Sequence, residues 1–170
     1  MRANFELKAR CADLERARER AREVATAWVG VDEQVDTYFT TRGGRLKLRE
    51  SRLSGAQLIP YFRADATVAR RSDYQVLAVE DGAGLARMLG TMLGVHRVVR
   101  KRREIALYEN VRIHLDRVEG LGDFVEFEAV WDGGDTGLAE QQRKVAFLRE
   151  HLGVRDEDLV AGSYETLLGA

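Results

Sequence analysis

Apolar and polar residues alternate along several short stretches of this chain, the two-residue period of strands that press one face onto a core. Residues 4–10, 45–49 and 111–116 alternate without a break, as Phe5, Leu7 and Ala9 do against Asn4, Glu6 and Lys8. Residues 34–41, 57–64, 74–80, 95–108 and 124–131 alternate less regularly. Asp32-Glu33, Gly43-Gly44, Glu109-Asn110 and the glycines Gly120 and Gly122 punctuate them as turns, which predicts about eight strands. Three segments carry the helical period instead. Leu14, Ala17, Ala21, Val24 and Trp28 make one stripe over residues 13–28, with Asp13 placed to cap it. Leu85, Met88, Leu89, Met92 and Leu93 make a second, one-sided stripe closed by Gly94, and Leu138, Val145, Leu148 and Leu152 a third that ends near Gly153. Residues 163–168 fit a last turn or short helix. Pro60 lies inside a strand candidate, which predicts an edge or a bulge there.

Strands joined by short turns run antiparallel, and about eight of them avoid exposed edges by closing on themselves. The expected fold is therefore α+β: an eight-stranded antiparallel β-barrel with flanking helices, one domain over residues 1–170. The composition agrees. The 170 residues carry 27 Lys and Arg against 28 Asp and Glu, a balance that argues against the broad basic surface of a nucleic-acid binder. A hydrophobic share of 45% is too high for disorder, and no apolar run approaches the ~20 residues of a membrane helix. Patterned sequence begins almost at Met1 with no secretory leader, so a cytoplasmic protein is expected, binding neither nucleic acid nor membrane. The single cysteine, Cys11, makes no internal disulfide and reads as a small residue at a strand-to-helix junction.

If helices cover the apolar strand faces, the charged faces point elsewhere. Glu6 shares a face with Lys8, Lys47 with Arg49, Arg112 with His114 and Asp116, and Glu126 with Glu128. Such faces ordinarily meet water. Here the signs segregate: basic residues gather at Lys47, Arg49, Arg63, Lys101 and Arg103, carboxylates at Glu6, Asp116, Glu126 and Glu128. Inside a closed sheet, unpaired charge is costly and calls for a ligand. Converging Lys and Arg suit a polyanion with several phosphates, and facing carboxylates suit Mg²⁺ or Mn²⁺, hard ions that take oxygen ligands. Spacing alone leaves open whether Lys101 and Arg103, or Arg100, Arg102 and Glu104, face inward. His114 suits either orienting its carboxylate neighbours or acting directly; Tyr61 and Tyr164 suit substrate contact or packing; Trp28 and Trp131 read as packing.

At these residues the chain resembles a known family. Asn4-x-Glu6-x-Lys8, Gln34-x-Asp36-x-Tyr38-Phe39, the 44–50 stretch Gly-Arg-Leu-Lys-Leu-Arg-Glu, Tyr61-x-Arg63, Lys101-x-Arg103-Glu104, the 112–128 stretch from Arg112 to Glu128, and Ser163-Tyr164 follow one another as in the CYTH superfamily of class IV adenylyl cyclases, thiamine triphosphatases and related triphosphate tunnel metalloenzymes. The resemblance spans nearly the whole chain. It implies a charged tunnel, bound Mg²⁺ or Mn²⁺ and a triphosphate-bearing small molecule: ATP, thiamine triphosphate or tripolyphosphate. By position it assigns Lys8, Glu6, Glu126 and Glu128 to catalysis, Lys47, Arg49, Arg63, Lys101 and Arg103 to substrate binding, and Glu6, Asp116, Glu126 and Glu128 to the metal. The chain departs from the family at Asn4, where the usual signature has a first glutamate; an amide oxygen ligates Mg²⁺ without contributing charge. The expected reaction is triphosphate hydrolysis. The alternatives are an adenylyl cyclase that forms cyclic AMP and pyrophosphate, and a non-catalytic polyphosphate- or nucleotide-binding module, as monomer or homodimer.

Overall fold

The computed structural model describes residues 2–62, 70–131 and 135–169. Its strands are β1 (Arg2–Arg10), β2 (Ala27–Phe39), β3 (Arg45–Ser51), β4 (Gly55–Phe62), β5 (Arg70–Tyr74), β6 (Leu77–Val79), β7 (Val95–Tyr108), β8 (Val111–Val118) and β9 (Gly122–Trp131). Its helices are α1 (Leu14–Val24), α2 (Gly82–Leu93), α3 (Asp135–His151) and α4 (Tyr164–Leu168). Every pairing is antiparallel, in the order β3-β2-β7-β8-β9-β1-β5-β4, and β4 pairs back onto β3, so eight strands form a circuit with β6 added to β4. The seam between β4 and β5 consists of Tyr61 opposite Tyr74 and Phe62 opposite Asp73, against eight residue pairs between β1 and β9. The barrel is a curled sheet with a narrow closing contact.

The outer faces are dry where helices lie on them. Phe5 and Leu7 of β1, Ile113 and Leu115 of β8, and Val125 and Phe127 of β9 pack against Leu14, Ala17 and Ala21 of α1 and Val145 and Leu148 of α3. Alternation then sends the intervening charged residues to the inside. A second cluster, built from Tyr38, Ile59, Tyr61, Val99, Val118, Phe124 and Tyr164, fills part of the interior, with Tyr164 brought in by α4. Among the described residues no helix is long and apolar enough to cross a membrane.

Several elements differ from the sequence pattern. The first helix, capped by Asp13 accepting from the Arg16 amide at 3.0 Å, stops at Val24 instead of reaching Trp28. The Thr26 amide donates to the Leu107 carbonyl at 2.7 Å, drawing the chain into β2, which begins seven residues before the alternation becomes regular at Gln34. β-Branched Thr26, Val29, Val31 and Val35 favour that extended state. The α2 stripe is not buried: Leu85 and Leu89 are half-buried and Met88 and Met92 are 60% and 72% exposed, while Gly82 at the helix start lies against Ala56 of β4. Of the strand expected at 74–80, the structure has Tyr74 as the last residue of β5 and the three-residue β6, with Gln75 and Val76 between them. Pro60 explains the break: its carbonyl accepts from the Gln75 amide at 3.2 Å, so its missing N–H falls on that same side, between the two strands. Cys11 sits half-buried between β1 and α1 as expected, and burial pushes its thiol up, away from reactivity.

Candidate functional site

The barrel interior holds a cavity of about 620 Å³. Strand parity lines it with Asn4, Glu6 and Lys8 from β1, Asp32, Gln34, Asp36 and Tyr38 from β2, Lys47 and Arg49 from β3, Lys101 and Arg103 from β7, Arg112 and His114 from β8, and Glu126 and Glu128 from β9. The register of β7 thereby settles the inward face: Lys101 and Arg103 line the cavity, while Arg102 reaches Glu104 and Glu33 outside it. Arg63 lies outside the described residues.

The basic residues converge on a carboxylate that the charge pattern did not single out. Arg49 grips Asp36 with two parallel bonds, Nε to Oδ1 at 2.8 Å and Nη2 to Oδ2 at 2.7 Å. The ammonium groups of Lys101 and Lys47 reach the same Oδ2 at 3.0 and 3.4 Å. Burial would raise the Asp36 carboxyl, but Arg49, Lys101 and Lys47 more than offset it and hold the group well below the ordinary carboxylate range. The same crowding acts on Lys101 in reverse. Burial, with repulsion from Arg49 and Arg103, outweighs the pull of Asp36 and brings its ammonium down to about 8. Asp36 precedes Arg49 by 13 residues and Lys101 by 65, so nothing local in the chain marks it. Its signals are a shared strand face with Gln34 and Tyr38 and its place in the Gln34-x-Asp36-x-Tyr38 stretch of the resemblance, which gave it no role. Asp32 serves the scaffold, accepting from Gln34, Ser51 and the Leu53 amide at 2.7, 2.7 and 3.0 Å and so pinning the β3–β4 turn.

The acidic wall is equally paired. Arg103 forks onto Asp116 at 2.7 and 2.6 Å and touches Glu126 at 3.3 Å; the Tyr164 hydroxyl donates to Asp116 Oδ2 at 2.6 Å. Both Asp116 oxygens are thus engaged at the plugged part of the interior, apart from Glu6 and Glu128. Glu126 also receives Lys8 at 3.1 Å and His114 Nδ1 at 2.9 Å. A carboxylate only accepts, so His114 carries its hydrogen on Nδ1, and burial beside Arg103 keeps the ring neutral. Burial opposes ionisation of Glu126, but Lys8, Arg103 and His114 hold it well below the ordinary range. The acidic wall is therefore compensated from within, whereas the Asp36 corner gathers three cations on one carboxylate.

Asn4 stands between the remaining carboxylates. Its amide nitrogen donates to Glu128 Oε1 at 2.9 Å and Glu6 Oε2 at 3.3 Å, while its carbonyl oxygen is buried without a hydrogen-bond partner. Among the described residues no three acidic, imidazole or thiol groups stand close enough to cage a metal unaided. Mg²⁺ does not require such a cage: it is held by one or two carboxylates, with water and substrate phosphates completing the shell. Glu6 and Glu128 supply the oxygens such an ion takes, and turning the Asn4 amide over would bring its orphaned carbonyl oxygen to the same side.

The site is thus a cavity inside a curled antiparallel barrel, lined by both cations and carboxylates. The chain belongs to the CYTH family, whose domain model matches residues 2–164. Among solved structures, the PH1012 protein of Pyrococcus horikoshii is similar at 25% identity and a TM-score of 0.83, covering 96% of this chain and 98% of that one. A Vibrio parahaemolyticus protein described as a candidate adenylate cyclase matches at 22% identity and a TM-score of 0.76, covering 98% of each. The Hippeastrum protein HpAC1, assigned as an adenylyl cyclase and described as having a dominant triphosphatase activity, matches at 14% identity and a TM-score of 0.59, covering 89% of this chain and 88% of that one. No curated protein gave a significant match.

Proposed function

We propose that this protein hydrolyses a triphosphate compound with the help of Mg²⁺ or Mn²⁺. The observation that carries the reading is the convergence of Lys47, Arg49 and Lys101 within 3.4 Å of one carboxylate oxygen, Asp36 Oδ2. Three cations around one anion leave a net positive site, and the forked and point-charge donors suit phosphate oxygens. Lys47, Arg49 and Lys101 would hold the phosphate chain. Arg103, anchored by Asp116, would offset charge that builds on the transferring phosphoryl group. Glu6, Glu128 and Asn4 would hold the divalent ion, with Glu126 beside them tied to Lys8 and His114; bound there, the ion polarises phosphate and supports attack by water. Water adds to the terminal phosphorus, the bridging P–O bond breaks, the diphosphate leaves with its electron pair, and the proton lost by the water passes to solvent.

The dominant triphosphatase activity described for HpAC1 favours hydrolysis over cyclisation within this fold. The test is to incubate the protein with Mg²⁺ or Mn²⁺ and, separately, ATP, thiamine triphosphate and tripolyphosphate, then assay orthophosphate, pyrophosphate and cyclic AMP. Orthophosphate release is expected. Cyclic AMP with pyrophosphate from ATP would instead establish a cyclase, and tight binding without turnover a non-catalytic module.

A further inference from the structure

Helices α1 and α2 are held unequally. α1 buries Leu14, Ala17 and Ala21, whereas α2 buries Gly82 alone. Yet α2 is the weaker helix by composition: Gly82, Gly84 and Gly90 fall within its 12 residues, and an isolated helix so short does not persist without packing. The sheet supports one side of it. Gly82 lies against Ala56 of β4, and the absence of a side chain at Gly90 leaves room for Val95 of β7. The other side, which no element covers among the described residues, carries Met88 and Met92 one turn apart, with Leu93 and Val95 39% and 51% exposed beside them. Leu77 stands opposite Leu58, on the β4 face that Ala56 turns to α2, and Val98 has the opposite parity to the inward Lys101. Both are exposed and extend the apolar patch on the outer surface of the sheet.

Size and charge together point to what covers this face. At about 100 Å² for a fully exposed apolar side chain, these six residues leave roughly 300 Å² of apolar surface in water. Homodimer interfaces are about 65% apolar, so that much implies about 450 Å² per copy and about 900 Å² in all, close to the ~1,000 Å² of a specific contact. The face is also nearly uncharged, in a chain of which 32% is charged: from Gly82 to Val95, Arg87 is the one ionisable residue. Charge returns at the two ends with opposite signs, exposed Glu80 and Asp81 before the helix and exposed Arg100 on β7 beyond it. Such a surface is its own complement.

We propose that the protein forms a reversible homodimer through α2, whatever the barrel binds. A two-fold axis between Met88 and Met92 runs two copies of the helix antiparallel, sets Met88 of one against Met92 of the other, and carries each acidic start toward the other's basic end. Arg87 then stands beside the last turn of the facing helix, which has no basic residue of its own to offset its dipole.

Sedimentation velocity of the full chain between about 1 and about 300 µM tests this, since an interface of this size is expected to dissociate in the micromolar range. The wild type is expected to move from the mass of one chain toward twice that mass. Met92→Lys, at a position open to solvent, is expected to raise the dissociation constant at least about tenfold by burying an unpaired charge, and Met88→Lys gives the same readout from the facing position should the first variant fold poorly. A monomer at every concentration, or a dimer that both variants leave intact, overturns the proposal. Co-sedimentation with phosphatidylcholine vesicles tests the other apolar partner: a wild-type monomer that binds them through Met92, so that Met92→Lys does not, assigns the face to lipid and overturns the dimer.

Discussion

Asp36→Asn removes the carboxylate on which three cations converge and leaves its shape nearly intact. Arg49 and Lys101 contact it at 2.7–3.0 Å and both Asp36 and Lys101 are buried, so the variant holds buried positive charge without its counter-ion. Removing one partner of a buried ion pair costs about 3–5 kcal/mol. For a chain of this length each kcal/mol moves the unfolding midpoint by about 2–4 °C, so a drop of about 10 °C is expected at pH 7. The pH dependence has a fixed sign. Asp36 is held below its ordinary value in the fold, so its stabilisation is present above about pH 4 and disappears as pH falls through the folded value. Wild type and variant should therefore converge in acid. A polyanion restores what the substitution removes, so tripolyphosphate should raise the variant's midpoint by more degrees than it raises that of the wild type. Differential scanning calorimetry with and without tripolyphosphate reads all three effects. An unchanged midpoint at pH 7, a gap that persists in acid, or a ligand shift no larger than in wild type would refute the reasoning.

Glu128→Gln should lower metal-dependent turnover by at least about a hundredfold, since a neutral amide replaces one of two carboxylates flanking Asn4. Its half-exposed partner Arg112 contributes little, so the stability loss should stay near ~1 kcal/mol in urea titrations; full activity would remove Glu128 from the metal site. Lys101 titrates near 8 in the free protein, and a bound polyanion favours its charged form, so binding takes up a proton above that pH. Affinity for tripolyphosphate should be level below pH 8 and fall above it, and Lys101→Arg should flatten that limb; an alkaline limb of the same size in the variant would assign it elsewhere.

Much of this architecture was readable from the chain because it rests on local alternation. Phe5 and Leu7 face the helices and Glu6 and Lys8 the cavity because the pleat permits nothing else, and the same logic holds for Val125 and Phe127 against Glu126 and Glu128. Asp13 announced the start of α1 through capping chemistry. What stayed hidden depends on partners distant in sequence. Trp28 falls on the α1 stripe by coincidence of spacing, and only the hydrogen bond from Thr26 to Leu107, 81 residues on, shows that the strand wins. Met88 and Met92 share one helical side, which no element covers among the described residues. Asp36 stood in a stretch that carries the resemblance but had no role until Lys47, Arg49 and Lys101 were brought round it. The internal pairing of Arg103 with Asp116 likewise follows from the register of β7 on β8, which alternation does not specify.

The central claim is that the cationic side of this cavity is a phosphate-chain site. Calorimetric titration of tripolyphosphate and orthophosphate into wild type and Arg49→Ala, each in Mg²⁺, tests it most directly. The account predicts that tripolyphosphate binds wild type at least about a hundredfold tighter than orthophosphate and that Arg49→Ala removes most of that advantage, because a bidentate grip on phosphate is lost. Equal affinity for the two anions, or an advantage untouched by the substitution, would contradict it.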